Sequence, residues 1–343
     1  MTSKEAFPLL EFHVIDGTLV REIIATARTQ IIEKVRDTYL AHHDGATVNP
    51  DSYFLRFPEQ PSSRIIALPA YLGAQPNIAG IKWISSYPQN IARNLPRASA
   101  VVILNDHSTG YPFACLEGAQ ISAARTAASA ALAAEVIHGG RTATKIAVIG
   151  AGVIARNIVD FLAAQQWIFD ELAIFDLVDD YAAQLATYSS SAYAYRSNVA
   201  KSLDLAILDS ELVVLATTAS KPYLTEPGTF RPGQVVLNIS LRDIGPDVIY
   251  DAHNILDDVE HCLKADTSPH LAEQKYENRR FIDGTLSQIM RDEIRVSPVR
   301  PVIFSPFGLG VLDLSVAHHV YETAVAQGKA IEIDGFFGEK ERW

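Results

Sequence analysis

Residues 145–164 read KIAVIGAGVIARNIVDFLAA, and most of the architecture follows from them. An apolar run ends at Gly150 and an amphipathic run begins at Val153, with Gly150, Gly152 and Ala155 in G-x-G-x-x-A spacing. The first glycine permits a tight turn, the second lets a diphosphate approach the backbone, and the alanine lets helix and strand pack closely. The stretch therefore predicts a dinucleotide-binding turn of the Rossmann type, with the phosphates at the N-terminus of the helix.

Downstream of the turn, short apolar runs alternate with helical segments, which is typical of a parallel sheet with helices on both faces. The runs are ELAIFDL (171–177), LVVLAT (212–217), QVVLNIS (234–240) and NILDD (254–258). Asp176 lies at the distance expected for an acid that binds the adenosine ribose, and its charge would repel a 2′-phosphate. NAD is therefore predicted as the cofactor rather than NADP. The predicted cofactor-binding residues are Gly150, Gly152, Val153, Ile154, Asp176, Thr217, Thr218, Ser240 and Phe307.

Upstream of the turn, the pattern predicts a mainly β domain. Residues 19–43 have the apolar spacing of one opening helix, and an Ala-rich helix over 122–138 connects to the turn. Between them, short β-branched and aromatic runs predict strands at 53–57, 64–70, 80–86, 99–106 and 112–118. The predicted fold class is α/β: residues 1–125 with 315–343 form a mixed, mainly β substrate-binding and dimerisation domain, and residues 126–314 form the Rossmann domain.

Composition excludes several functional classes. A net charge of −11 offers no broad attraction for nucleic acid or anionic membranes. The longest apolar stretch, residues 127–137, is too short to cross a bilayer, and no export signal is visible. Two distant cysteines and adjacent histidine pairs without ligand spacing predict no disulfide framework and no metal site. We expect a protein of the reducing cytoplasm.

Several separate blocks, in the same order, resemble the ornithine cyclodeaminase and μ-crystallin family. They are YFLRF with Arg56, RIIALPAYLG, GIKW with Lys82, ISAARTAASAA with Arg125, VIGAGVIA, VLATTAS, LNISLRDIGPD with Asp243, and SPFGLGVLDLSVA. The resemblance covers almost the whole chain. It implies an NAD-dependent oxidoreductase acting on the CH–NH group of a small amino acid, built as a homodimer through the substrate domain.

Residues 80–106 are similar to family members that make L-2,3-diaminopropionate for siderophores and antibiotics. This likeness implies that NAD oxidises N-(2-amino-2-carboxyethyl)-L-glutamate and that water then releases L-2,3-diaminopropionate and 2-oxoglutarate. Ile66 stands where cyclodeaminases place an acid for the ornithine ammonium, which would be poorly compensated beside an apolar side chain. Arg97 adds a cation where they carry a small polar residue.

The resemblance implies catalytic roles for Lys82 and Asp243 and substrate binding by Arg56, Arg97 and Arg125. Cationic side chains would fix the carboxylates, and Asp243 would activate the water that attacks an iminium. Each role has a structural alternative. Arg125 is equally suited to a surface ion pair, Asp243 to a backbone cap, and Lys82 to a charged strand edge.

Other functions stay open on the same scaffold. An ornithine cyclodeaminase, an alanine-type dehydrogenase or a ketimine reductase would share Lys82, Arg125 and the glycine turn. A dinucleotide-dependent binding protein without turnover is an alternative of a different class. The presence of both Lys82 and Asp243 counts against it, because binding alone does not need an acid that activates water.

Overall fold

A computed structural model describes residues 10–73 and 75–339. The chain ends assigned above to the first domain, residues 1–9 and 340–343, lie outside the described residues, as does Ala74. The strands are β1 (His13–Ile15), β2 (Thr47–Val48), β3 (Tyr53–Phe57), β4 (Gln60–Leu72), β5 (Ile78–Ser86), β6 (Ala98–Asp106), β7 (Pro112–Glu117), β8 (Thr142–Ile149), β9 (Ile168–Phe175), β10 (Ser197–Val199), β11 (Leu212–Leu215), β12 (Val235–Asn238), β13 (His253–Leu256), β14 (Ile282–Thr285), β15 (Val302–Ser305) and β16 (Ile331–Glu332).

The helices lie in both halves of the chain, and those of the second half alternate with the strands. They are α1 (Gly17–Thr26), α2 (Arg28–His43), α3 (Gly118–His138), α4 (Val153–Ala164), α5 (Asp179–Tyr193), α6 (Leu203–Ile207), α7 (Pro246–Asp251), α8 (Val259–Cys262), α9 (Ser268–Tyr276), α10 (Leu286–Met290) and α11 (Gly310–Ala326), with a 3₁₀ turn at Pro88–Arg93. Among the helices of the described residues, none has the length and apolar character needed to cross a membrane.

The first compact unit contains the described parts of residues 1–27, 44–122 and 310–343. Its mixed sheet has the order β16-β1-β7-β6-β5-β4-β2, and β3 pairs with the outer side of β4. Helix α11 packs on one face of this sheet. Val102, Leu104 and Leu116 point to that face and are fully buried. The predicted mainly β character of this part of the chain is confirmed.

The second compact unit contains residues 28–43 and 123–309. Its sheet has the order β10-β9-β8-β11-β12-β15-β13-β14, and every pairing in it is parallel. The chain leaves β8 in one direction to β9 and later returns to β11 on the other side of β8. The carboxyl ends of β8 and β11 therefore form the topological switch point, where open α/β sheets bind ligands. The predicted Rossmann architecture is confirmed.

The opening helix differs from the prediction. Residues 19–43 form two helices because α1 ends at Thr26, with Ala27 as its C-cap, and α2 starts at Arg28. The two helices also belong to different units. Arg28 pairs with Asp160 of α4 at 3.1 Å, and Tyr39 bonds Ser129 of α3 at 2.6 Å, so α2 is part of the second unit. Apolar spacing identified the buried faces, but it does not specify the partner of each face.

The divisions between the units otherwise lie close to the predicted ones. The observed divisions are 122/123 and 309/310, within five residues of 125/126 and 314/315. The later division shifts because α11, which packs on the first sheet, begins at Gly310.

Candidate functional site

The glycine turn sits at the carboxyl end of β8. Gly150 has a φ of +90°, and its N–H donates to the Phe175 carbonyl at 2.8 Å. A Cβ at this position would lie 2.6 Å from the Ala216 carbonyl oxygen, directly after β11. Both the positive φ and this close backbone approach require glycine.

The start of α4 is the position at which the sequence predicts an anion site. Gly152 is the N-cap residue, and a Cβ built on it would meet nothing within 4 Å. The backbone amides of Val153 and Ile154 belong to the first turn, where N–H groups have no intrahelical partner. An exposed cradle of backbone donors at a helix N-terminus suits a diphosphate.

Asp176 follows β9 and has a structural role that the sequence did not indicate. Its Oδ2 accepts from the Ala151 amide in the glycine turn at 2.8 Å, and its Oδ1 accepts from the Val178 amide at 2.9 Å. The carboxylate therefore orders the turn itself. The neighbouring Leu177 side chain is 93% exposed, so an apolar surface lies open beside this acid.

Asp243 lies in the loop after β12 and is fully buried. The Thr217 hydroxyl, in the loop after β11, lies 2.8 and 2.9 Å from its two carboxylate oxygens. The Tyr223 hydroxyl donates to Oδ2 at 3.0 Å. The structure thus brings together Thr217, predicted as a cofactor-binding residue, and Asp243, predicted as a catalytic one, whereas Tyr223 was not predicted. Thr218 is exposed on the same loop.

Burial raises the pKa of Asp243 above its ordinary value, because solvent cannot stabilise the charged carboxylate. The hydroxyls of Ser240, Thr217 and Tyr223 oppose this shift and lower the pKa. Predicted residue Ser240 therefore acts on the same carboxylate. A buried acid with a raised pKa and only hydroxyl neighbours can accept and release a proton closer to neutral pH than an ordinary aspartate.

The Phe307–Gly308 turn is anchored by Asp257, a residue that the sequence analysis missed. Asp257 directly follows β13 and is 2% exposed. Its carboxylate accepts from the Phe307 amide at 2.9 Å and from the Gly308 amide at 2.7 Å. Gly308 has a φ of +94°, and the Arg125 guanidinium packs against it, in the space that a Cβ would occupy. Arg125 and Phe307 are thus neighbours within the second unit.

Lys82 belongs to the first unit and is buried there in an ion pair. Its Nζ lies 2.6 Å from Asp313 Oδ2 and 3.1 Å from Ser122 Oγ. The side chains of Lys82 and Asp313 are 2% and 0% exposed. Strand β5 is central in the sheet, so the alternative of a charged strand edge is wrong for Lys82.

The strand register places further cations on the face that carries Lys82. Arg56 of β3 lies opposite Arg64 of β4, which was not predicted, and Arg64 lies opposite Ser86 of β5. Side chains directly opposite one another share a face, as do residues two apart in a strand. Ser86, in the Arg56–Arg64 row, is four residues from Lys82 along β5. At roughly 3.3 Å per residue, the two rows are therefore about 13 Å apart. Ile66 lies between them, opposite Phe54 and Ile84.

Arg97 precedes β6 and is half-buried. Burial lowers the pKa of its guanidinium. Within residues 10–73 and 75–339 this side chain makes no hydrogen bond or ion pair. A half-buried cation without an internal partner is a candidate for an anionic ligand.

The residues that the sequence analysis missed are partners of the predicted ones. Asp313 pairs with Lys82, Asp257 holds the Phe307 turn, and Tyr223 bonds Asp243. Asp257 ends an apolar strand, which is a detectable signal in a parallel sheet. Within the described ranges, no group of three or more His, Cys, Asp or Glu side chains could hold a metal ion.

The sequence profile of the ornithine cyclodeaminase/mu-crystallin family matches residues 18–328. The chain belongs to this family. The Staphylococcus aureus protein named N-((2S)-2-amino-2-carboxyethyl)-L-glutamate dehydrogenase is 29% identical over 310 residues, which is 86% of this chain and 90% of that protein.

Two solved structures share the fold. Thermococcus litoralis Delta(1)-pyrroline-2-carboxylate reductase, in complex with NADH and L-proline, superposes with a TM-score of 0.87 at 22% identity. The match covers 94% of this chain and all of that one. An archaeal alanine dehydrogenase dimer with bound NAD superposes with a TM-score of 0.83 at 22% identity, covering 95% of this chain and all of that one.

Lys82→Met removes the ammonium that lies 2.6 Å from the buried Asp313 carboxylate, which should cost about 3–5 kcal/mol of the free energy of unfolding. Adding Asp313→Leu should recover most of this loss, because the second change removes the buried charge that Lys82 compensated. Urea denaturation of the two variants measures both effects. As a control, Arg231→Met breaks an exposed pair with Asp209 and should cost less than about 1 kcal/mol. Equal losses in Lys82→Met and Arg231→Met would contradict the buried pair.

Proposed function

We propose that this chain is an NAD-dependent oxidoreductase that acts on the CH–NH group of a small amino acid. The observation that carries the proposal is the glycine turn at the switch point of a parallel sheet, followed by exposed first-turn amides of α4. The relatives described above have names of the same reaction class. Fold alone does not specify a reaction, so the assignment also depends on the side chains near the turn.

The chemistry of the turn fits NAD. We assign the diphosphate to Gly152 and the amides of Val153 and Ile154, where positive helix-end charge favours it. We assign Asp176 to the ribose hydroxyls, since a carboxylate with two amide donors retains lone pairs. We assign Thr217, Thr218, Ser240 and Phe307 to the nicotinamide end. When bound, NAD supplies the acceptor for a hydride from the substrate carbon.

We further propose N-(2-amino-2-carboxyethyl)-L-glutamate as the substrate, with L-2,3-diaminopropionate and 2-oxoglutarate as products. This secondary amine has three carboxylates and therefore needs several fixed cations. The first unit supplies Arg56, Arg64 and Lys82 on one sheet face, and half-buried Arg97 without an internal partner. On that face, Ile66 stands at the position where an ornithine substrate would need an acid for its side-chain ammonium.

The remaining roles divide between orientation and proton transfer. We assign Lys82 to the α-carboxylate, with Asp313 compensating the charge of its buried ammonium. We assign Arg125 to a second carboxylate, because its guanidinium lies beside the Phe307 turn. Asp243 takes the proton of the water that attacks the oxidised substrate, a role its raised pKa suits.

We propose that two copies of the chain associate through the uncovered face of the first sheet. The other face of this sheet, on the side away from the Lys82 side chain, is apolar across β4, β5 and β6. One row on it consists of Ala67, Trp83 and Val101, and the next row consists of Pro69, Ile81 and Ile103. Trp83 and Val101 are 40% and 37% exposed. A contiguous exposed apolar face is typical of an interface, and a structural neighbour is a dimer.

We place the reaction in the biosynthesis of siderophores or peptide antibiotics that contain diaminopropionate, as the resemblance of residues 80–106 implies. A reducing cytoplasm suits the two free thiols, Cys115 and Cys262.

Incubation of the protein with NAD and N-(2-amino-2-carboxyethyl)-L-glutamate should form NADH and 2-oxoglutarate in equal amounts, because one hydride and one hydrolysis accompany each turnover. Absorbance and a coupled 2-oxoglutarate assay measure both products. Proline and ammonia from ornithine would instead identify a cyclodeaminase. Reduction of pyruvate with ammonia would identify an alanine-type dehydrogenase, and reduction of a cyclic imine a ketimine reductase. NADH binding without any turnover would identify a binding protein.

Asp243→Asn should reduce turnover by about 100-fold or more, because the amide cannot accept a proton from water. NADH affinity should stay within about twofold, since the shape is kept. The free energy of unfolding should not fall at pH 7: a raised pKa in the folded state means that the charged carboxylate, present above that pKa, lowers stability. Asp247→Asn, at a partly exposed carboxylate of α7 that pairs with Lys275, is the control. Near-normal turnover of Asp243→Asn would reject the role.

Trp83→Glu should convert the dimer to a monomer, because the change buries an unpaired charge at the centre of the apolar face. Sedimentation equilibrium measures the mass. Ile168→Glu, at a 68% exposed apolar side chain of the second unit, should leave the mass unchanged. Equal masses for Trp83→Glu and the parent protein would contradict this interface.

A further inference from the structure

The burial of Asp243 restricts its access to water, which a base in this reaction needs. Asp243 must exchange a proton with water, yet it is fully buried. The Thr217 hydroxyl bonds both of its oxygens, and the Tyr223 hydroxyl bonds Oδ2. A proton that reaches this carboxylate must therefore pass through a neighbouring group, and the Ser240 hydroxyl, which also acts on the pKa of Asp243, is itself buried.

Thr217 is poorly suited to pass a proton. Its single hydroxyl hydrogen faces the carboxylate, and its Oγ1 also accepts from the Ala219 amide at 3.2 Å. The backbone thus occupies one of the two acceptor lone pairs of this oxygen. Tyr223 differs because it combines a bond to the buried acid with a side chain that is 40% exposed. Tyr223 is therefore a partly exposed residue in direct contact with the buried acid.

We propose that Tyr223 relays the proton between the attacking water and Asp243. The inference rests on the function proposed above. As the water oxygen forms its bond to the iminium carbon, the C=N π pair moves to nitrogen. One water proton passes to the Tyr223 oxygen while the phenolic proton of Tyr223 passes to Asp243 Oδ2. The step leaves a neutral tyrosine, a protonated Asp243 and a hydroxyl on the substrate carbon, so charge and atoms balance.

The backbone holds the two groups in position. The amides of Tyr223 and Leu224 both donate to the Asp243 carbonyl, at 3.1 and 3.0 Å, and the Gly245 amide donates to the Leu224 carbonyl at 2.8 Å. Leu224 and Ile244 form a parallel bridge. The phenol and the carboxylate are therefore set by two paired segments rather than by flexible side chains alone. Preorganisation of this kind is what a short proton relay needs.

The neighbouring groups keep the relay in the correct protonation state. Burial and the nearby Asp243 carboxylate raise the pKa of Tyr223, so the phenol stays protonated and remains the donor. The groups that act on the pKa of Asp243 from the surrounding loops are hydroxyls, those of Ser240, Thr217 and Tyr223. Because the phenol of Tyr223 stays protonated, no phenolate accumulates during the relay. Both protons therefore move in one step.

Tyr223→Phe tests the relay because it keeps the ring and removes the hydroxyl. We expect turnover of the aminocarboxyethyl-glutamate substrate to fall by about 10- to 100-fold, with NADH affinity unchanged. The matched control is Tyr276→Phe, which removes a tyrosine–aspartate hydrogen bond to Asp247 elsewhere in the same unit. This control should retain parental turnover.

Of two further readouts, the first separates a relay from a merely structural tyrosine and the second tests the hydrogen bond on which the relay depends. In single-turnover reactions across mixtures of H₂O and D₂O, the parent protein should show a curved proton inventory, since two protons move together, and Tyr223→Phe a linear one. NMR titration of ¹³C-labelled aspartate should show a higher pKa for Asp243 in Tyr223→Phe, because a donor that lowers this pKa is lost.

The outcomes distinguish the relay from the proposed function. If the parent protein forms NADH and 2-oxoglutarate but Tyr223→Phe retains its rate, the relay is overturned and the function stands. A linear inventory in the parent protein, or an Asp243 pKa that Tyr223→Phe leaves unmoved, overturns the relay in the same way. A parent protein that oxidises no amino acid overturns both.

Discussion

The backbone of Gly150 approaches the Ala216 carbonyl so closely that no side chain fits between them, and the second unit is organised around this contact. It brings the end of β8 against the end of β11, and the Gly150 amide bonds the Phe175 carbonyl at the end of β9. Three strand ends are therefore joined at one point. The first turn of α4, the Asp176 carboxylate and the Thr217 loop all take their positions from this junction.

The acids of the second unit serve two different purposes. Asp176 accepts from two backbone amides and Asp257 from three, and both thereby fix loops, a use that satisfies groups which strand ends leave without partners. Asp243 accepts from side-chain hydroxyls instead. Because hydroxyls both give and take protons, this carboxylate retains chemical freedom that the other two acids lack.

In the first unit, the pleat of the sheet places the cationic side chains on one face and an apolar surface on the other. Residues of even number on β4 and β5, such as Arg64 and Lys82, share the face on which α11 packs, and the odd-numbered residues form the apolar face. A shift of one residue in the register would exchange the two faces. The long pairing of β4, β5 and β6 therefore secures both the placement of the cations and the surface proposed for association.

The sequence by itself determined the features that depend on local geometry. The glycine spacing specified the turn, the alternation of apolar runs specified the parallel sheet, and the strands from Tyr53 to Glu117 were visible from their composition. Gly150, Thr217 and Asp243 lie in the loops that follow predicted strands, and sequence patterns mark the ends of strands well. Only the tertiary structure decided which groups meet across long separations: Lys82 with Asp313, Phe307 with Asp257, and α2 with α3 and α4. The physical reason is that a periodic pattern shows which face of an element is buried, whereas the partner of that face, and the counter-charge of a buried ion, depend on how the chain folds back on itself.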